Sequence, residues 1–151
     1  MLGAAEAGGF DLRRHENIVF SPPVPKSSDI HDPTRVLLAP SVEQPSGRAT
    51  REARLNGIPP LLSDRGGLPE TVNGAGFVLP LPPGYTIAAK QPLEPAGVRP
   101  WIEVIERLYD DEAFYREQCG RAREASRVYL PENLAPKDVE FFRNLVAGTA
   151  P

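Results

Sequence analysis

The residues with the clearest chemical potential lie in one short stretch. Pro40-Ser41-Val42-Glu43-Gln44-Pro45-Ser46-Gly47-Arg48 joins an apolar run to an amphipathic one, with Gly47 at the junction. A helix that starts there presents free N–H groups and the positive end of its dipole. Gly47 lets a ligand approach the backbone closely. Such a turn is suited to seating a diphosphate, and Arg48 and Arg51 add positive charge to the first turns. Glu52 follows about one turn in, where a carboxylate can accept hydrogen bonds from paired hydroxyls such as those of a ribose. On spacing alone, a solvated helix residue is the favoured reading of Glu52. A second loop, Asp64-Arg65-Gly66-Gly67-Leu68-Pro69-Glu70, repeats the theme of glycine freedom before a helix start. His31, within Asp29-Ile30-His31-Asp32, reads as part of a solvated loop, and no metal site is expected. Cys119 reads as a packed helix residue without a catalytic partner.

These loops need a scaffold. Arg35–Pro40 is a continuous apolar run that predicts a strand buried on both faces, as in a parallel sheet. Gly47 to about Asn56 predicts a helix stopped by Gly57, with Pro59 preventing continuation. Ile58–Leu62 predicts the next strand, Pro69 the first turn of a short helix to about Val72, and Phe77–Leu79 another strand. Ile18–Phe20 predicts one more strand ahead of them, with a helical turn around Ser28–Pro33. Three helical stripes follow: Trp101, Ile102, Ile105, Leu108 and Tyr109; then Phe114, Ala122, Ala125 and Val128; then Val139, Phe142, Leu145 and Val146. Each is expected to pack against the sheet. The alternation of strand and helix predicts an α/β fold, an incomplete doubly wound parallel sheet of Rossmann-like type with a C-terminal helical segment. Residues 1–16 are expected to be a poorly ordered lead or helix remnant, 17–98 the Rossmann-like domain, and 99–147 helices packing on it.

Composition narrows the function classes. The chain has 151 residues, a net charge of −3 and no basic block, so nucleic acid is not an expected partner. The single cysteine excludes an internal disulfide and fits a reducing compartment. No apolar run is long enough to span a bilayer. A cytoplasmic location is expected, membrane-peripheral if further parts bring the protein there. The 18 prolines predict short elements joined by stiff connections.

The block from Val36 to Glu70 resembles the donor-site signature of retaining family 4 glycosyltransferases, which have the two-domain GT-B fold. Its parts are Val36-Leu-Leu-Ala-Pro-Ser-Val-Glu-Gln-Pro-Ser-Gly-Arg-Ala-Thr-Arg-Glu-Ala-Arg-Leu-Asn-Gly-Ile-Pro59 and Ser63-Asp-Arg-Gly-Gly-Leu-Pro-Glu70. The second is similar to that family's G-G-x-P-E element. With Trp101 and the Leu108-Tyr-Asp-Asp111 helices, the likeness covers roughly residues 17–146. The family carries a pair of glutamates with seven residues between them. Glu52 matches the second, whose family role is to hold the ribose. Counting back from Glu52 reaches Gln44, with Glu43 beside it. The first position lies by the transferred sugar, where Gln44 offers a hydrogen bond but no charge.

The resemblance implies a donor-binding domain for a nucleotide-diphosphate sugar, transferring the sugar with retention to an unknown acceptor. No metal or cofactor is implied, because helix dipole and basic side chains offset the diphosphate charge. Ser41, Gly47, Arg48, Glu52, Gly66 and Gly67 are the implied donor contacts, and Gln44 or Glu43 the residue facing the sugar. The family's early strand, its Gly-rich turn and its acceptor-binding domain have no counterpart in the sequence. The chain is therefore expected to be inactive alone and to need a missing domain or partner chain. The alternative expectation is a non-catalytic module that assembles with a partner, or with itself through an exposed sheet edge.

Overall fold

The computed structural model describes residues 15–89 and 91–148. The expectation for the lead before residue 15 lies outside them. The order is α1 (Ser28–His31), β1 (Leu37–Ala39), α2 (Arg48–Leu55), β2 (Pro60–Ser63), α3 (Leu68–Val72), β3 (Phe77–Leu79), α4 (Pro95–Asp110), α5 (Glu112–Ser126), a 3₁₀ turn (Arg127–Tyr129) and α6 (Pro131–Val146).

The three strands form one parallel sheet in the order β1-β2-β3. Leu38 pairs with Leu61, and Leu62 with Val78. Each connection between neighbours passes through a helix, as parallel strands require. The fold is α/β, built as βαβαβ followed by helices. Local chemistry sets the ends of the elements. Gly57 takes φ +74 just after α2, and Asn73 takes φ 44 just after α3, so both helices end in left-handed turns. Asp111 caps α5 by accepting from the Phe114 amide at 2.9 Å.

β2 is the centre. All four of its residues are buried, and their side chains alternate between two clusters. Leu61 joins Leu81, Trp101 and Leu108 on the α4 side. Leu62 joins Leu68 and Val72 on the α3 side. Full burial of each such side chain is worth about 1.5–3 kcal/mol, so these clusters dominate the energetics. Helix α5 packs on both α2 and α4.

Three expectations need correction. Ile18–Phe20 forms no strand: the run is exposed, Val19 at 86%, and pairs with no neighbour. A strand exists only through its ladder, and Pro22, Pro23 and Pro25 remove donors just beyond the run. β1 is not buried on both faces; it is an edge strand, and Leu38 is 44% exposed. The apolar stripe of α6 does not pack against the sheet. No residue of α6 is buried; the helix lies against the 3₁₀ turn, and Phe142 and Val146 are exposed. In α4, Trp101 and Leu108 reach the core as expected, while Ile102 and Tyr109 sit at its open margin. Among the described residues no helix is long and apolar enough to cross a membrane.

Candidate functional site

The site is assembled where β1 and β2 end. After Ala39 the chain crosses through Ser41–Gly47 and enters α2 at Arg48. Its first helical bond runs from the Arg51 amide to the Gly47 carbonyl at 2.9 Å, so the amides of Arg48, Ala49 and Thr50 have no intrahelical acceptor. No side chain caps them. A helix therefore follows the strand, as expected of residues 47–56, with Arg48 and Ala49 exposed at its start and Gly47 and Thr50 buried.

Glu52 stands one turn further on. Its Oε1 lies 2.8 Å from Arg48 Nε, an i,i+4 ion pair with Arg48 largely in solvent. The carboxylate and the guanidinium that the sequence assigned to hydroxyls and phosphate thus face each other. Arg51 points elsewhere: its guanidinium carbon lies 5.7 Å from the Tyr129 ring centroid.

Gln44 folds onto its own loop. Its Nε2 donates to the Ser46 carbonyl at 3.2 Å, while its backbone carbonyl accepts from the Gly67 amide at 2.9 Å. Glu43 beside it is exposed. Ser41 contributes its carbonyl, which accepts from the Ser63 hydroxyl at the end of β2. The two candidate loops are therefore one packed unit.

The glycines explain that packing. Gly66 takes φ +57, and a Cβ there would lie 2.5 Å from the Gln44 carbonyl oxygen. A Cβ on Gly67 would meet the Pro45 carbonyl, and one on Gly47 would lie 2.5 Å from Thr71 Oγ1 on α3. Gly66 and Gly67 let the second loop lie against the first; the Gly67 amide is used within the protein rather than turned to solvent.

Four residues hold the site in place: Asp64 and Arg65, expected in the second loop but without a role of their own, and Thr71 and Arg54, which spacing did not single out. Asp64 accepts from the Leu81 amide at 3.1 Å, and Arg65 donates to the Leu81 and Pro82 carbonyls at 2.8 and 3.0 Å. Together they tie the Gly66-Gly67 loop to the chain leaving β3. Thr71 packs on Gly47, and its carbonyl accepts from Arg54. Arg54 is fully buried. It lies one turn after the buried Thr50, on the face of α2 turned to the protein interior, and its residue type gives no sign of that burial in the sequence.

The carboxyl end of β1 also borders an apolar cavity of about 440 Å3, walled by Leu38, Pro40, Leu81, Tyr85, Trp101 and Ile105 among others. The arrangement as a whole leaves the first amides of α2 without an intrahelical acceptor and pairs Glu52 with Arg48. It offers no charged group at Gln44 for bond-breaking chemistry.

No family model matches the chain, and no curated protein matches it. Among the described residues no group of three or more His, Cys, Asp or Glu is placed to hold a metal ion.

Proposed function

We propose that this chain binds a nucleotide-diphosphate sugar as the donor-binding part of a retaining glycosyltransferase of GT-B type. One observation supports the reading above the others. Arg48 and Glu52 share one face of α2, directly after an uncapped helix start that follows a parallel strand. Ligands of open α/β sheets bind at that carboxyl edge. A diphosphate would take the amides of the first turn and the Arg48 guanidinium, releasing Glu52 to accept from the ribose hydroxyls. Ser41, Gly47, Gly66 and Gly67 shape the loops beneath it. Gln44 would face the transferred sugar as a neutral hydrogen-bonding group, with exposed Glu43 the nearest carboxylate in sequence. The acceptor and its binding domain would come from a partner chain or a further domain.

Calorimetric titration with UDP, GDP and ADP tests this directly. Binding in the millimolar range or tighter, abolished by Glu52→Ala, is the expected result. A folded chain that binds none of them sinks the reading.

A second reading has its own support. The uncovered apolar face of α6 and the neutral Gln44 fit a non-catalytic module that assembles with a partner. A clean monomer that binds nucleotide argues against it.

A further inference from the structure

A second cleft lies at the opposite edge of the sheet. It is a polar cavity of about 400 Å3 between α1, the α2–β2 turn and α5. Thr34 and Ile58 in its wall precede β1 and β2, so it opens at the amino ends of the strands, whereas the Ser41–Gly47 loop lies at their carboxyl ends.

We propose that this cleft binds a phosphoryl group, held by Arg116, Arg123 and His31. Three observations lead there. First, Arg116 and Arg123 both line one small cavity, and the Arg123 guanidinium lies against Gly57 in its wall. Arg116 pairs through Nε with Glu112 at 2.9 Å, and Glu112 divides its charge between Arg116 and Arg35. Arg123 pairs with no acidic group among the described residues. Second, His31 Nδ1 is buried without a hydrogen-bond partner. In the Nδ1–H tautomer it is a donor awaiting an acceptor. Third, Gly57 has its φ of +74 and no side chain where Arg123 crosses, which leaves room for that guanidinium across the turn.

Opposing charge is modest. Asp32 lines the cleft but is exposed, and the carbonyl end of α2 is the negative end of a short helix. Two guanidiniums outweigh them, and planar guanidinium donors match the geometry of a tetrahedral oxyanion. The volume exceeds that of phosphate, so a small phosphate ester also fits.

Cys119 makes the site testable. It is the chain's one cysteine and it lines the cleft. Its alkylation by iodoacetamide, followed by mass spectrometry, reports whether the cleft is occupied. Inorganic phosphate and glycerol phosphate are compared with sodium chloride at equal ionic strength. At a phosphate concentration about ten times its dissociation constant the rate should fall about tenfold, as 1 + [L]/Kd. Arg123→Gln and Arg116→Gln should each remove most of that slowing, measured as the ratio with and without phosphate in the same variant. Glu52→Ala, which removes a side chain that pairs with Arg48 and does not line the cleft, should leave it intact, which separates this site from the nucleotide site. Greater protection by the ester than by phosphate assigns the remaining volume to the ester carbons. Phosphate or ester that slows the reaction no more than chloride overturns the proposal, as does full protection retained in Arg123→Gln.

Discussion

Arg48 Nε stands 2.8 Å from Glu52 Oε1 on the first two turns of α2. The pair is exposed on the arginine side, so it contributes little to stability, roughly 0.3–0.5 kcal/mol for such a helix pair. Under the proposed function each partner would stand in for a ligand group, the carboxylate for a phosphate and the guanidinium for ribose hydroxyls. Glu52→Ala should therefore change unfolding free energy by less than about 0.5 kcal/mol while abolishing nucleoside diphosphate binding. Urea denaturation and calorimetry on the same preparation check both halves. Loss of fold in this variant would show that Glu52 is structural.

The glycines of the second loop make a sharper structural prediction. Gly66 and Gly74 both have positive φ, at +57 and +75. Around Gly74 nothing lies within 4 Å of an added Cβ, whereas at Gly66 the Gln44 carbonyl oxygen is 2.5 Å away. Gly74→Ala should cost only the left-handed backbone term, about 1–2 kcal/mol. Gly66→Ala adds a backbone clash and should cost about 1–3 kcal/mol more. Denaturant midpoints of the two variants decide it; equal costs would mean the two loops are not packed as described.

Arg35 predicts a pH dependence. It donates to the Leu108 carbonyl at 3.0 Å and pairs with Glu112 at 3.1 Å, joining the entry to β1 with α4 and α5. The hydrogen bonds from Arg116 and Arg35 hold the Glu112 carboxyl below its ordinary value of 4.5. A depressed carboxylate stabilises the fold above its unfolded pKa, and that contribution is lost as pH falls through the folded value. The stability difference between wild type and Glu112→Gln should be steady near pH 7, shrink below about pH 4.5 and vanish at lower pH. Thermal midpoints across that range test it, and a difference that grows on acidification contradicts the pairing.

Tyr115 gives the alkaline counterpart. Arg35 lies over its ring at 3.7 Å, and its hydroxyl donates to the Arg35 carbonyl at 3.3 Å. Burial, with the Cys119 side chain beside it, pushes the phenol up to about 12. A raised phenol favours the folded state below its unfolded pKa, and this is lost as pH rises from 10 toward 12. Absorbance titration at the phenolate band should show one late-ionising tyrosine, missing in Tyr115→Phe. Full ionisation of all tyrosines near pH 10 in the folded protein would contradict it.

Much of the scaffold was legible because its punctuation is chemical. Gly57 and Pro59 stop α2, Pro69 opens α3, and the apolar runs between them are strands. What periodicity cannot say is what covers a face. Ile18–Phe20 has strand composition, yet no neighbouring strand supplies its ladder. The stripe of α6 is plain in the sequence, but a stripe identifies a face and not its partner. In the site, the placement of Glu52 followed from helix spacing. The pairing of Gly66 and Gly67 with Gln44 and Pro45 did not, because it joins two loops across the end of the sheet.

The buried Arg54 carries the last prediction. It is wholly enclosed between α2, α3 and the 3₁₀ turn, and one Nη donates to the Thr71 carbonyl. Its Nε and other Nη are buried with no hydrogen-bond partner, and the Tyr129 ring, 5.7 Å from its guanidinium carbon, is a weak substitute. Among the described residues no carboxylate offsets the charge. A buried charge without a partner is costly, and an apolar residue of similar length removes that cost. Against this, Arg54→Met leaves the Thr71 carbonyl without its donor, a loss of about 1 kcal/mol. The balance favours the variant, which should be as stable as wild type or more stable by about 1–3 kcal/mol. Arg54→Ala, which also opens a cavity, should be the less stable of the two substitutions by about 2 kcal/mol or more. Denaturant unfolding of both variants measures the order, and a strongly destabilised Arg54→Met would mean that the guanidinium has satisfied contacts.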